Sequence, residues 1–219
     1  MKNKVLFGVT ALIVLSVAIL GIIKKDTYTD ILNQPNYLDN ISVAVLPEMI
    51  AINSCEMARE QLKKAPIVAK VEVVEEEEHL FGTTRQKVYV KKQYVGDSLV
   101  EGENIYIYAD HWCMSLVTEP ISIERSFVNI LKVGKDYLIF LTEENKNVKL
   151  DAPLYKLYEE PIIAPVFCYE EIENVPVATS GEHTYVEYNK VRECEFFCET
   201  ENGIEAWEEL KTYMIERYR

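Results

Sequence analysis

From Val5 to Ile23, nineteen residues carry no charge, and Lys2, Lys4, Lys24 and Lys25 close both ends of the run. At about 1.5 Å per helical residue it reaches roughly 28 Å, close to the ~30 Å hydrocarbon core of a bilayer and longer than the ~7 to 15 apolar residues of a secretory signal. Ala18-Ile19-Leu20 departs from the small-residue pattern of a cleavage site, and no Cys lies near the end of the run, so the pattern predicts an uncleaved signal anchor. The flanking lysines nearly balance. A four-residue head is easier to retain than the long body, which favours the N-terminus inside and the body outside. The expected organisation is a cytoplasmic head (1–4), a transmembrane signal anchor (5–23), a juxtamembrane stalk (24–52) and an extracytoplasmic domain (53–219), in a single-pass protein of the cell membrane.

Beyond the anchor the periodicity changes twice. The stalk is polar, with Pro35 blocking a continuous helix, and a short apolar stretch, Ile41 to Met49, is interrupted by Pro47. Ser54 is placed to cap a short helix from Cys55 to Ala65, with Met57, Leu62 and Ala65 inward and Pro66 as its stop. A two-residue period then takes over. Ile67, Ala69, Val71 and Val73 alternate with Val68, Lys70, Glu72 and Val74; a charged hairpin leads to a second strand around Arg85 to Tyr94; a third covers Ile105 to Ala109. Tyr137 to Leu141 is apolar on both faces and predicts the most deeply buried strand. Further strands are expected at Leu154 to Tyr158, Ile162 to Cys168 and Tyr185 to Val191. The chain closes with a helix that Asn202 and Glu205 mark as a capping box, with Ile204, Trp207, Leu210, Met214 and Tyr218 on one stripe.

Short strands separated by turns, with helices before and after, predict a mainly β, α+β domain: a small closed or partly closed barrel and a C-terminal helix. Ala65 to Val71 (APIVAKV), Tyr89 to Asp97 (YVKKQYVGD) and Val133 to Leu141 (VGKDYLIFL) resemble, in that order, the layout of netrin-like and TIMP-like OB-fold domains. The resemblance covers Cys55 to Leu141 and implies an OB-like β-barrel. It stops short of an activity. Tissue inhibitors of metalloproteases reach the target's zinc with a free N-terminal Cys, whereas Cys55 sits well inside this chain and the paired cysteines are missing.

Charge narrows the partners. With Lys2, Lys4, Lys24 and Lys25 set aside, the remaining 19 of 23 basic residues face all 36 acidic ones, a net charge of −17 beyond the anchor. Nucleic acid is excluded as a partner, because phosphate neutralisation needs basic patches. Anionic lipid or wall polymer would be repelled as well. The five cysteines, Cys55, Cys113, Cys168, Cys194 and Cys198, form no recognisable disulfide framework; one or two disulfides in an oxidising setting and buried free thiols in a reducing one both stay open.

No catalytic residue and no cofactor is assigned. The best metal-ligand pair is His111 and Cys113, two residues apart and so on one side of a strand. Cys194 and Cys198, if extended, lie about 13 Å apart and cannot share an ion, and Phe196-Phe197 between them reads as core. Glu75 to Glu78 with His79 reads as a solvated hairpin tip, and Ser180 to His183 as a turn. Among fourteen tyrosines, Tyr106, Tyr108, Tyr155 and Tyr158 fall on expected sheet faces, where amphipathic rings bind sugars or peptides. The function expected is a membrane-anchored extracytoplasmic binding or interaction module for an unknown protein, peptide or sugar. The alternatives are a membrane-tethered hydrolase or metal-dependent enzyme, and a structural subunit of a membrane complex.

Overall fold

The computed structural model describes residue 10 and residues 13–21, 36–80, 83–115, 122–124, 128–159, 163–179 and 185–219. The chain divides into two units, Met1–Tyr37 and Leu38–Arg219. In the first, residues 13–21 are helical and exposed. Among the described residues no helix is long and apolar enough to cross a membrane. Of the expected span Val5 to Ile23 only residue 10 and residues 13–21 are described; the rest of it, residues 24–35 of the stalk, and Ser180 to His183 lie outside the described residues.

The second unit is α+β. Its short strand β1 (Ser42–Ala44) is followed by helix α1 (Glu48–Gln61), then by β2 (Ile67–Val73), β3 (Glu78–Leu80), β4 (Thr83–Val95), β5 (Asn104–Tyr108), β6 (Cys113–Ser115), β7 (Ser122–Glu124), β8 (Asp136–Glu144), β9 (Leu154–Leu157), β10 (Phe167–Cys168), β11 (Tyr185–Glu187) and helix α2 (Glu201–Arg217). Five of these strands close a barrel. β2 lies between β4 and β8, antiparallel to both; β4 pairs with β5; β5 runs parallel to β9; and β9 returns to β8 through Leu157↔Leu141 and Tyr155↔Glu144. β10 adds to β8 outside the ring, and β3 folds back on β4. A second, four-stranded sheet has the order β11-β1-β7-β6.

The alternation seen in β2 is a buried face: Ile67, Ala69, Val71 and Val73 are all buried, and Val68 is buried on the opposite face as well. Tyr137 to Leu141 is buried on both faces, and the face that carries Phe140 is covered by β10 and the end of α2. Phe140 meets Phe167 of β10 edge to face, with ring centroids 6.0 Å apart, and Tyr218 at the end of α2, at 5.8 Å. The C-terminal helix thus packs as its stripe predicts: Ile204, Trp207, Leu210, Met214 and Tyr218 are all buried. Trp207 stacks on Phe196 at 4.6 Å and leans on Phe167 at 4.9 Å.

Both helix starts differ from the expected ones. α2 is capped by Thr200, whose extended backbone lets its hydroxyl accept from the Gly203 amide; Asn202 lies two residues further in, and its side-chain amide donates to Glu48 on α1 at 2.8 Å. α1 begins at Glu48 with Pro47 as its N-cap, whose carbonyl accepts from Ile50 and Ala51. Proline fits there because its missing N–H would lack an intrahelical partner anyway. The inward stripe of α1 is therefore Ala51, Cys55 and Ala58, continued by Leu62 in the 3-10 turn that follows, with Ser54 buried beside it, while Met57 is 44% exposed. Small residues win these positions because the helices approach closely. A Cβ on Gly203 would stand 2.5 Å from the Cys198 sulfur and 3.4 Å from the Ala51 methyl.

Candidate functional site

A concavity of about 780 Å³ opens where β8 runs past the start of β2. Local chemistry dictates that mismatch. Pro66 precedes β2 and cannot donate to a ladder, and the 3-10 turn Leu62–Lys64 has already carried the chain in from α1. Pairing between β2 and β8 ends at Ile67↔Leu141, whereas β8 continues to Glu144. On its other side β8 carries a bulge, a register shift between Leu141 and Glu144 opposite β9, which bends the strand over the opening.

The opposite wall is the turn after β4. Gly96 holds φ +85, and a Cβ there would come 2.8 Å from the Pro66 carbonyl, so only glycine permits this approach. Gln93 fastens the turn: its side-chain amide donates to Val95 O at 3.0 Å and its side-chain oxygen accepts from Leu99 N at 3.2 Å. The Tyr155 hydroxyl donates to Ser98 O at 3.2 Å. At the β8 end, Asn145 organises the β8–β9 loop. Its N–H donates to Leu154 O at 2.7 Å, its side-chain oxygen accepts from Asn147 N, and its side-chain amide donates to the Tyr108 hydroxyl at 3.2 Å. Tyr108 and Asn145 also line a neighbouring, more apolar cavity of about 400 Å³ with Thr84, Val148 and Leu154.

The groove is electrostatically acidic. Asp97, Glu143 and Glu144 line it, and Lys146 reaches Glu144 only at 4.0 Å. Lys156 is committed elsewhere, to Asp110 and to Glu159. Burial opposes its ammonium, but those two carboxylates outweigh burial and raise its pKa. Burial, reinforced by the Glu144 charge, keeps the Tyr155 phenol protonated.

The face formed by β4 and β5, by comparison, is filled from within. Lys87 bridges Glu75 before β3 at 3.2 Å and Asp151 in the β8–β9 loop at 2.8 Å, and the Tyr106 hydroxyl donates to Asp151 at 3.0 Å. Arg85 and Lys87 both lie over the Tyr106 ring, at 4.5 and 5.1 Å. Hydrogen bonding to Asp151, Glu75 and Tyr106 raises the Lys87 pKa, and that to Lys87 lowers that of Asp151.

The expected tyrosine face is thus not an exposed one. Tyr106 is 7% and Tyr155 3% exposed, while Tyr108 and Tyr158 are half-buried. Sheet alternation predicts outward rings here, but the β8–β9 loop folds over Tyr106. Only Tyr108 and Tyr155 come together at the groove. His111 lies in the turn before β6 and not in the strand with Cys113, so the alternation that put them on one side does not apply; its Nδ1 is 3.2 Å from Glu159. The side chain of Cys113 is outside the described set. Among the described residues no group of three or more His, Cys, Asp or Glu is placed to hold a metal ion. Cys55, Cys168, Cys194 and Cys198 are free and buried. The acidic hairpin is solvated at Glu75, Glu76 and Glu78, but Glu77 turns inward, its side chain 2% exposed and 3.7 Å from His79, whose imidazole burial lowers in pKa.

The groove residues Asp97, Thr142, Glu143, Glu144 and Lys156 escaped the sequence reading. The only local sign is that the two-faced apolar run stops at Thr142. Compared with models of protein families and with curated proteins, the chain matches none.

Proposed function

We propose that this chain is a single-pass, N-terminally anchored protein that presents an OB-like, netrin-like barrel outside the cytoplasmic membrane as a binding module, with the groove at the β8 bulge as its ligand site. The anchor rests on the uncharged run Val5 to Ile23. The OB-like reading is supported by the ring: counted within the barrel, the fourth strand returns to pair with the first and the fifth lies parallel to the third, a Greek-key closure of five strands.

The observation that carries the site is the contrast between two surfaces. OB barrels commonly take ligands on the second and third strands, between the first and fourth loops. Here Lys87 ties those two loops together over that face, through Glu75 and Asp151, and Tyr106 fills it. The groove beside β8 stays open, and its volume falls within the ~300 to 1,000 Å³ usual for ligand sites.

Two measurements on the full chain test this. A reporter active only outside the membrane, fused after Arg219, is expected to work, with Val5 to Ile23 retained in the mature protein; a mature N-terminus between residues 20 and 30 would refute the anchor. A photo-crosslinking amino acid at Asp97 in the groove is expected to give a discrete adduct in cells, and one at the exposed hairpin residue Glu76 none. No adduct at Asp97, or the same adduct at both, would refute the site.

A further inference from the structure

Resting on the groove as the ligand site, we propose that the ligand is an extended peptide segment with basic side chains, which adds to the free edge of β8 at Thr142–Glu144 as a further strand.

The edge follows from register. β9 occupies one side of β8 out to Glu144, and β2 occupies the other only as far as Leu141. Beyond that point no described strand pairs with Thr142, Glu143 or Glu144 on the β2 side, and the side lies open to the groove they line. At ~3.3 Å per residue those three residues offer roughly 10 Å of edge. An extended peptide would gain main-chain hydrogen bonds along it, and its alternate side chains would point to opposite walls.

Charge selects the peptide. Asp97, Glu143 and Glu144 line the space; of the two lysines that share it, Lys146 stands 4.0 Å from Glu144 and Lys156 is spent on Asp110 and Glu159, so Asp97 and Glu143 keep their charge unpaired by either lysine. Cations opposite Glu143 and Glu144 would form favourable cross-strand pairs; an acidic segment would meet repulsion from the groove and from a chain of net charge −13. The aromatic residues argue against a sugar. Sugar sites present a ring face, whereas Tyr155 is 3% exposed with its hydroxyl bound to Ser98 O, and the Tyr108 hydroxyl is engaged by Asn145.

The test uses the full chain in detergent micelles with three fluorescent probes, the acetylated heptapeptide Lys-Thr-Lys-Val-Lys-Thr-Lys, its counterpart with Glu for each Lys, and the Lys peptide methylated at alternate backbone amides, and with unlabelled chitohexaose as a sugar control read by amide chemical shifts. Anisotropy is expected to show binding of the first alone, and amide chemical shifts are expected to move at Thr142 to Asn145. Glu143→Lys, at an exposed position, should weaken binding about fivefold or more. Methylation preserves charge and removes donors, so it separates strand addition from simple attraction of a cation to an acidic protein. Equal binding of the methylated peptide, or insensitivity to Glu143→Lys, would overturn the proposal. If chitohexaose moves the groove amides and the peptide does not, the peptide class falls while the groove reading stands; if no probe moves them and Asp97 gives no crosslink, both fall.

Discussion

Lys211→Met should destabilise the folded unit strongly at neutral pH and much less in mild acid. Lys211, on α2, pairs with Glu195, whose side chain is only 2% exposed; the other Glu195 oxygen accepts from the Cys168 amide, and Lys211 also donates to Glu170 O at 3.0 Å. Burial raises the Glu195 pKa, and Lys211 together with the Cys168 amide draws it back down. Replacing the lysine leaves a buried carboxylate with one amide donor. Breaking such a pair costs about 3–5 kcal/mol, and the lower end applies here because Lys211 keeps 14% of its own side chain in water.

The sign of the pH dependence follows from the raised pKa. A folded-state carboxyl that binds its proton more tightly than the unfolded chain gains stability as pH falls from the folded pKa toward the ordinary value of about 4.3. Losing Lys211 raises the folded pKa further. The deficit of the variant against the parent should therefore be about 3 kcal/mol at pH 7.5 and shrink by up to about 1.4 kcal/mol for each unit of acidification below that pKa. Comparison at equal pH cancels the opposite trend of Asp136, whose depressed pKa contributes stability that is lost as pH falls through it. Urea unfolding at pH 5 to 8 measures the deficit, and adding Glu195→Gln to Lys211→Met should make it smaller and independent of pH. A deficit constant from pH 5 to 8, or below about 0.5 kcal/mol at pH 7.5, would refute the reasoning.

Two further substitutions probe the helix pair. Trp207→Ala, which empties the slot between Phe196 and Phe167, should cost about 3–5 kcal/mol in urea unfolding, whereas Met57→Ala on the exposed face of α1 should stay within about 0.5 kcal/mol. Gly203→Ala should lower stability by about 1–3 kcal/mol despite the better helix propensity of alanine, because the new methyl would meet the Cys198 sulfur; a melting temperature equal to or above the parent's would show that the helices can part without cost.

Sequence alone determined what depends on neighbours along the chain. Alternating apolar residues in Ile67 to Val73, the doubly apolar run Tyr137 to Leu141 and the stripe Ile204 to Tyr218 each bury the faces that their periodicity marks, since side-chain direction in a strand or helix is a local property. Helix starts were less secure. Asn202 and Thr200 are both competent caps, and the choice fell to Thr200 because Asn202 is drawn to Glu48 on another helix. Met57 looked inward by hydrophobicity, yet the close approach of the two helices gave the interface to alanines, cysteine and glycine. The groove was decided by tertiary structure. Thr142, Glu143 and Glu144 read as an ordinary polar strand end, and Asp97 as a turn residue; they become one site because β2 stops at Pro66 while β8 continues, a mismatch between segments some seventy-five positions apart. For the same reason Tyr106 looked exposed: alternation gives the side of a sheet, but only the path of the β8–β9 loop determines whether water or Asp151 meets it.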